Sequence, residues 1–162
     1  MDIKPHNFVI SLEENTDNNI IESKLIDVST SIKMHERQKV ELRGRILGTE
    51  KYLAPEIINN HKKRKPFTVT RKADVYSFGV LIYKLLHKPY DDFNKIDESL
   101  LIIYNEMPLF KARLNYVIKN CIINDPDLRP SISDVDNYLK MKCNYFKIDL
   151  EYLGEEYRSQ VC

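Results

Sequence analysis

An acid, a cation and an amide stand at short, fixed spacings in Asp2-Ile3-Lys4-Pro5-His6-Asn7, immediately before the β-prone run Phe8-Val9-Ile10-Ser11-Leu12. A carboxylate, an ammonium and a carboxamide on one loop meet the needs of phosphoryl transfer: an acceptor for a hydroxyl proton, a charge for the moving phosphate, and a metal ligand. Taken alone, the same run also reads as a polar turn. Three more runs carry charged residues in a defined order: Gly48-Thr49-Glu50-Lys51-Tyr52-Leu53-Ala54-Pro55-Glu56, Lys72-Ala73-Asp74-Val75-Tyr76-Ser77-Phe78-Gly79-Val80, and Asp125-Pro126-Asp127-Leu128-Arg129-Pro130. Plain structural roles exist for several of them. Asp74 stands where a helix start favours a carboxylate, and Asp27, at the end of a strand-like run, is of a type common in turns.

The elements that must position these residues follow from periodicity. Phe8 to Leu12 and Ser23-Lys24-Leu25-Ile26-Asp27 are short β-prone runs separated by the polar stretch Glu13 to Asn19, which predicts a hairpin with a long loop. Thr30 to Leu47 shows no sustained period and a mixture of charges, and is expected to be a mobile surface loop. Lys72 to Lys88 is apolar almost all round and should be a helix buried on several sides. Helical spacing recurs in Leu100, Ile103, Tyr104 and Met107, with Pro108 after it, in Leu114, Val117, Ile118, Cys121 and Ile122, and in Ile132, Val135, Tyr138 and Leu139. The last pattern opens with Ser131 and has Asp134 three residues on, a variant of the capping box. Two strands and about five or six helices are expected, with a terminal helix or tail after Lys142.

Composition narrows the classes. With 162 residues, 43% hydrophobic, 30% charged and a formal charge of +1, the chain fits one globular domain or a large piece of one. The longest apolar run, Val75 to Tyr83, is about half the roughly 20 residues of a membrane-spanning helix. The start, Met1 to Asn7, resembles neither a secretory signal nor a transit peptide, so an intracellular, cytoplasmic protein is expected. Cys121, Cys143 and Cys162 are too scattered for a disulfide framework or paired zinc ligands, and reduced thiols are expected, with Cys121 buried on a helix. The near-neutral charge argues against nucleic acid or anionic membrane as main partner. The basic run His61-Lys62-Lys63-Arg64-Lys65 is expected to be a solvated loop.

In this order and at these separations, the four runs closely resemble the carboxy-terminal lobe of a eukaryotic protein kinase, from the Asp of the catalytic loop onward. The resemblance implies a mainly α fold: a helical bundle around one buried helix, with a short β-hairpin near the catalytic loop. It implies a partial kinase domain over residues 1–142 and a carboxy-terminal helix or tail over 143–162. It further implies that Asp2 orients the substrate hydroxyl as base, that Lys4 steadies the transferred phosphate, and that Thr49 contacts the catalytic Asp. Asn7 and Asp27 would hold Mg²⁺ at the ATP site. Asp74 would brace the catalytic-loop backbone, and Glu56 and Arg129 would form a buried ion pair. Lys4 and the Gly48-Thr49 run look like the serine/threonine branch, and Ala73 to Val80 is similar to the tyrosine-kinase-like group. The partners implied are ATP and a protein substrate with a Ser or Thr acceptor.

The departures from the family pattern are equally specific. The usual Asp-Phe-Gly is Asp27-Val28-Ser29, in which the metal-ligand Asp is kept and Ser, at the Gly position, pays for positive φ. The sequence starts at the residue before Asp2, without the preceding His-Arg, the Gly-rich loop or the strand Lys of the amino-terminal lobe. An amino-terminal ammonium at Met1 would disturb Asp2, and Lys72 to Lys88 would lose cover from four or five apolar side chains. The expectation is a fragment of an ATP-dependent serine/threonine kinase, inactive alone. The alternatives are a lobe-only pseudokinase that binds a partner and a decayed remnant.

Overall fold

The computed structural model describes residues 1–14, 20–35, 39–43, 48–62, 66–87 and 112–162. Strand β1, Phe8–Leu12, pairs antiparallel with β2, Ile20–Leu25, in the register Phe8↔Leu25 to Ser11↔Glu22, with an irregularity between Ser11 and Leu12. The hairpin is therefore present, but its second strand begins and ends earlier than Ser23 to Asp27. The reason lies at Asp27, whose φ of 57° takes the chain out of extended conformation. Both faces of the hairpin carry exposed apolar side chains, among them Val9, Ile10, Ile20 and Ile21.

A second two-stranded sheet corrects the loop reading of Thr30 to Leu47. Val40–Leu42 forms β3 and pairs antiparallel with β4, Phe67–Val69. Three residues are too few to show a period, and their partner lies far along the chain, so only the tertiary fold reveals the pairing. Phe67, buried, anchors this sheet to the lobe.

Four helices are described. Helix α1, Pro55–Lys62, starts with proline at its first position, where the missing N–H costs nothing. Helix α2 is Lys72–His87, α3 is Ala112–Cys121 and α4 is Ile132–Leu139. The capping box at α4 is formed in full: Asp134 N donates to Ser131 Oγ at 3.1 Å, and Ser131 N donates to Asp134 Oδ2 at 2.7 Å. The expected helix through Leu100, Ile103, Tyr104 and Met107, its break at Pro108, the tip of the polar loop and residues 63–65 of the basic run lie outside the described residues.

The core gathers Val75, Val80 and Ile82 of α2, Val117, Ile118 and Cys121 of α3, Val135 and Tyr138 of α4, and Phe146 beyond it. Close approach of α2 and α3 depends on Gly79, where an added Cβ would stand 2.7 Å from Cys121 Cβ and 2.9 Å from Ile122 Cγ2. The expected loss of cover on Lys72 to Lys88 is not what is found. Val75, Val80, Leu81 and Ile82 are buried, and large apolar exposure on α2 is confined to Leu85 and Leu86 near its end.

Residues after Lys142 form two 3₁₀ turns, Lys147–Glu151 and Glu155–Gln160. Cys143 and Cys162 are joined by a disulfide, their Cα atoms 5.5 Å apart, which corrects the expectation of reduced thiols at these two positions. The turns fold the tail back on itself and bring together residues 19 apart in sequence. Cys121 is free and buried, as expected. Among the described residues no helix is long and apolar enough to cross a membrane.

Gly79→Ala is expected to destabilise the protein by about 1–3 kcal/mol, because the new methyl overpacks a contact between two helices. Urea unfolding followed by far-UV circular dichroism checks this, and an unchanged midpoint would show that the helices can part without cost.

Candidate functional site

The loop before β1 is shaped by its own residues. Lys4 is extended, and Pro5, with φ preset by its ring, opens a 3₁₀ turn over Pro5–Asn7 closed by Asn7 N donating to Lys4 O at 3.0 Å. Ile3 is buried and pins the loop to the lobe. Asn7 is buried too, and its Nδ2 donates to Asp2 O at 2.7 Å while its own carbonyl accepts from Ile26 N at 2.7 Å. One carboxamide residue thereby fixes both the loop and the base of the hairpin.

Asp2, Lys4 and Thr49 come together across 45 or more residues of sequence. Lys4 Nζ lies 2.7 Å from Asp2 Oδ2 and donates to Thr49 Oγ1 at 3.0 Å. Thr49 in turn donates twice to the carboxylate, N to Oδ1 at 2.9 Å and Oγ1 to Oδ2 at 3.1 Å. Thr49 is presented by Gly48, whose φ of 133° is open to glycine and strained for other residues. A Cβ at Gly48 would also stand 2.9 Å from Leu53 Cδ2. Burial pushes the Asp2 carboxyl up, but the hydrogen bonds from Lys4 and Thr49 and the charge of Lys4 outweigh it and hold the group below its ordinary 3.8. Asp2 is thus an ionised acceptor at neutral pH.

Asp27 is exposed and does not join this triangle. Its Oδ1 accepts from Ser29 Oγ at 2.6 Å and from Ser29 N at 3.4 Å, bonds that hold the Asp27 carboxyl below its ordinary range. The positive φ in this segment falls at Asp27, a residue type whose short polar side chain tolerates the left-handed region.

The loop before β1 and the Thr49 segment are both tied to one face of α2. Asp74 and Ser77 are three residues apart and so lie on the same side of the helix. Asp74 Oδ1 accepts from the Met1 nitrogen at 2.9 Å, and the buried Ser77 Oγ donates to Tyr52 O at 2.7 Å and Ala73 O at 3.1 Å. The Met1 nitrogen, expected to disturb Asp2, is directed to Asp74, a bond that an amide N–H makes equally well. Ser77 was not singled out by sequence reasoning, since a serine inside an apolar helix carries no spacing signal.

Arg129 is the densest node. Its NH1 and NH2 donate to Glu56 Oε1 and Oε2, both at 2.8 Å, and its remaining donors reach Ile123 O at 2.6 Å, Lys72 O at 2.9 Å and Asn124 O at 3.0 Å. All five N–H groups of the guanidinium are used. The side chain is fully buried, and the ring of Tyr76 lies 5.0 Å from its carbon. Lys72 closes the arrangement by donating its Nζ to Arg129 O, and burial pulls the Lys72 ammonium below its ordinary range. Tyr76 and Lys72 stand in the third sequence run, but only the fold shows that they enclose Arg129.

The family model for the protein kinase domain matches residues 1–139. The chain belongs to the protein kinase family. It is 31% identical over 141 residues to the serine/threonine/tyrosine-protein kinase HT1 of Arabidopsis thaliana, covering 83% of this chain and 32% of that protein. Identity to the serine/threonine-protein kinase MPS1 of Encephalitozoon cuniculi is 27% over 144 residues, covering 85% of this chain and 22% of that one. The dual specificity protein kinase shkE of Dictyostelium discoideum is 32% identical over 96 residues, covering 54% and 13% respectively. The chain therefore spans less than a third of the length of each of these relatives.

Glu56→Gln is expected to cost about 3–5 kcal/mol in urea unfolding, because it leaves the buried Arg129 charge without its anion. A loss below about 1 kcal/mol would show the pair to be dispensable. For Asp2 the folded-state pKa lies below the unfolded one, so its contribution to stability is complete above about pH 4 and lost as pH falls through the folded value. The wild-type unfolding midpoint is expected to fall faster than that of Asp2→Asn between about pH 5 and pH 2. Parallel pH profiles would remove Asp2 as a stabilising ion.

Proposed function

We propose that this chain is the catalytic-loop half of an ATP-dependent protein serine/threonine kinase, transferring the γ-phosphate of ATP to a protein Ser or Thr hydroxyl when a nucleotide-covering lobe accompanies it. The observation that carries this reading is the triangle of Asp2, Lys4 and Thr49, with all its contacts between 2.7 and 3.1 Å. In this reading the Asp2 carboxylate, ionised and held in place by Thr49, accepts the proton of the substrate hydroxyl as its oxygen bonds to phosphorus. Lys4 offsets the charge that collects on the transferred group. Thr49 prevents the carboxylate from turning away, and so acts as a positioning residue.

The donor chemistry suits Mg²⁺, which takes oxygen ligands and is held by one or two protein groups together with phosphate oxygens. Because the Asn7 amide nitrogen is committed to Asp2 O, its side-chain oxygen is the atom left to ligate, and Asp27 keeps Oδ2 beside the oxygen engaged by Ser29. When bound, Mg²⁺ would supply neutralisation of the phosphate charge.

The same reading takes residues 1–142 as a helical lobe built around α2, residues 143–162 as an appended tail, and the location as intracellular. Glu56, Asp74 and Arg129 serve it structurally. A second reading, a protein-binding module without catalysis, is favoured by Asp27: its carboxylate is exposed and tied to Ser29, in a segment where Val28 and Ser29 replace the usual Phe and Gly.

The test is phosphate transfer from labelled ATP to Ser/Thr peptides by the native full-length polypeptide. Asp2→Asn is expected to reduce turnover by about 10²- to 10⁴-fold, and Asp27→Asn to abolish the Mg²⁺-dependent rate. Full activity in either variant would overturn the role given to that residue. A native polypeptide that transfers no phosphate, yet binds its partner unchanged after Asp2→Ala, would establish the second reading instead.

A further inference from the structure

Residues 143–162 lie beyond the stretch that the kinase family model matches; one tie docks them on the lobe and a second, unlike it, closes them on themselves. The first is apolar. Phe146, 1% exposed, lies stacked against Tyr116 at a centroid distance of 5.2 Å and tilted against Tyr138 at 5.0 Å. Its backbone N donates to Asp149 Oδ2 at 2.8 Å and to Tyr116 Oη at 3.2 Å. The second tie is the disulfide between buried Cys143 and partly buried Cys162.

Between them the chain has few further ties: Tyr116 Oη donates to Asp149 Oδ2, and the rings of Tyr145 and Tyr157 meet edge to face at 5.9 Å. Tyr152 is 86% exposed, and Glu155, Glu156, Tyr157, Arg158 and Ser159 are exposed as well. The ring closes on itself rather than on the lobe: Asn144 N and Tyr145 N donate to Gln160 O at 2.8 and 3.2 Å, and Cys162 N donates to Tyr145 O at 2.9 Å. Beyond Cys143 and Phe146, the apolar contacts of this segment with the core come from Ile148 and Cys162, both only partly buried. A segment with so few buried contacts opens at low cost once its covalent tie is cut.

We propose that Cys143–Cys162 is a redox-operated clasp: a small dithiol opens it, the segment from Tyr152 to Cys162 leaves the lobe, and Phe146 stays docked. In opening, a thiolate of the reductant attacks one sulfur and the S–S bond breaks to give a mixed disulfide, which the reductant's second thiol resolves. The protein gains two electrons and two protons as a pair of thiols, and the reductant leaves as its own disulfide. Closing is the reverse exchange with a low-molecular-weight disulfide such as oxidised glutathione, which leaves as two thiols. Cys121 takes no part. It is fully buried beneath Gly79, and burial pushes its thiol up to about 12. In a reducing compartment a bond of this kind is made and broken rather than kept.

The test uses the 162-residue chain, oxidised with glutathione disulfide or reduced with dithiothreitol under native conditions, then alkylated and mapped by mass spectrometry, with tryptic cleavage timed in parallel. Expected are no label on Cys143 or Cys162 after oxidation, label on both after reduction, and none on Cys121 in either state. Cleavage after the exposed Arg158 should accelerate about tenfold or more on reduction, while cleavage after Lys147, next to docked Phe146, stays slow. Cys162→Ser should be cut after Arg158 at the fast rate without reductant. Labelling of Cys143 or Cys162 in the oxidised protein, a rate at Arg158 indifferent to reduction, or equal acceleration at Lys147 would each overturn the proposal.

Discussion

The bond set around Arg129 is the constraint on which the rest of the described fold depends. A guanidinium withdrawn from water is tolerated only when each of its donors finds an acceptor, and here the acceptors come from three separate segments: Glu56 at the start of α1, Lys72 at the start of α2, and Ile123 and Asn124 in the turn after α3. Displacing any one of these segments leaves a buried polar group unpaired. The geometry around one side chain therefore fixes the mutual positions of α1, α2 and the loop between α3 and α4.

From that frame, the chemistry is set by short steps. Helix α2 presents Asp74 and Ser77 on one face, and these take hold of the loop before β1 and of the 3₁₀ turn over Glu50–Tyr52. Thr49 directly precedes that turn, so anchoring Tyr52 also anchors the two donors that Thr49 aims at Asp2. The carboxylate is thus held by backbone and side chain of a segment that is itself braced on the same helix. Such doubly supported placement is what positioning catalysis asks of a protein.

The apolar surface of the chain is distributed in a way that matches this division of labour. The side chains of α2, α3 and α4 are closed into a core, whereas the β1–β2 hairpin leaves Val9, Ile10, Ile20 and Ile21 in the open. Exposed β-branched residues on both faces of a two-stranded ribbon contribute little to its stability. The ribbon is held instead from its base, through Ile26 and Asn7.

What the sequence determined by itself was local: the hairpin from two β-prone runs, the bounds of α2 and α4 from their apolar spacing, the capping box at Ser131, and the chemical kinds of group at Asp2, Lys4, Thr49, Glu56, Asp74 and Arg129. These depend on interactions a few residues apart and on residue type, so they are written in order along the chain. What only tertiary structure decided depends on groups distant in sequence. The pairing of Val40–Leu42 with Phe67–Val69, the enclosure of Arg129 by Tyr76 and Lys72, the grip of Ser77 on Tyr52, and the union of Cys143 with Cys162 leave no periodic trace. Asp27 shows the limit most clearly. Its residue type was legible, but its left-handed backbone and its bonds to Ser29 follow from where the hairpin stops, which the order of residues alone does not set.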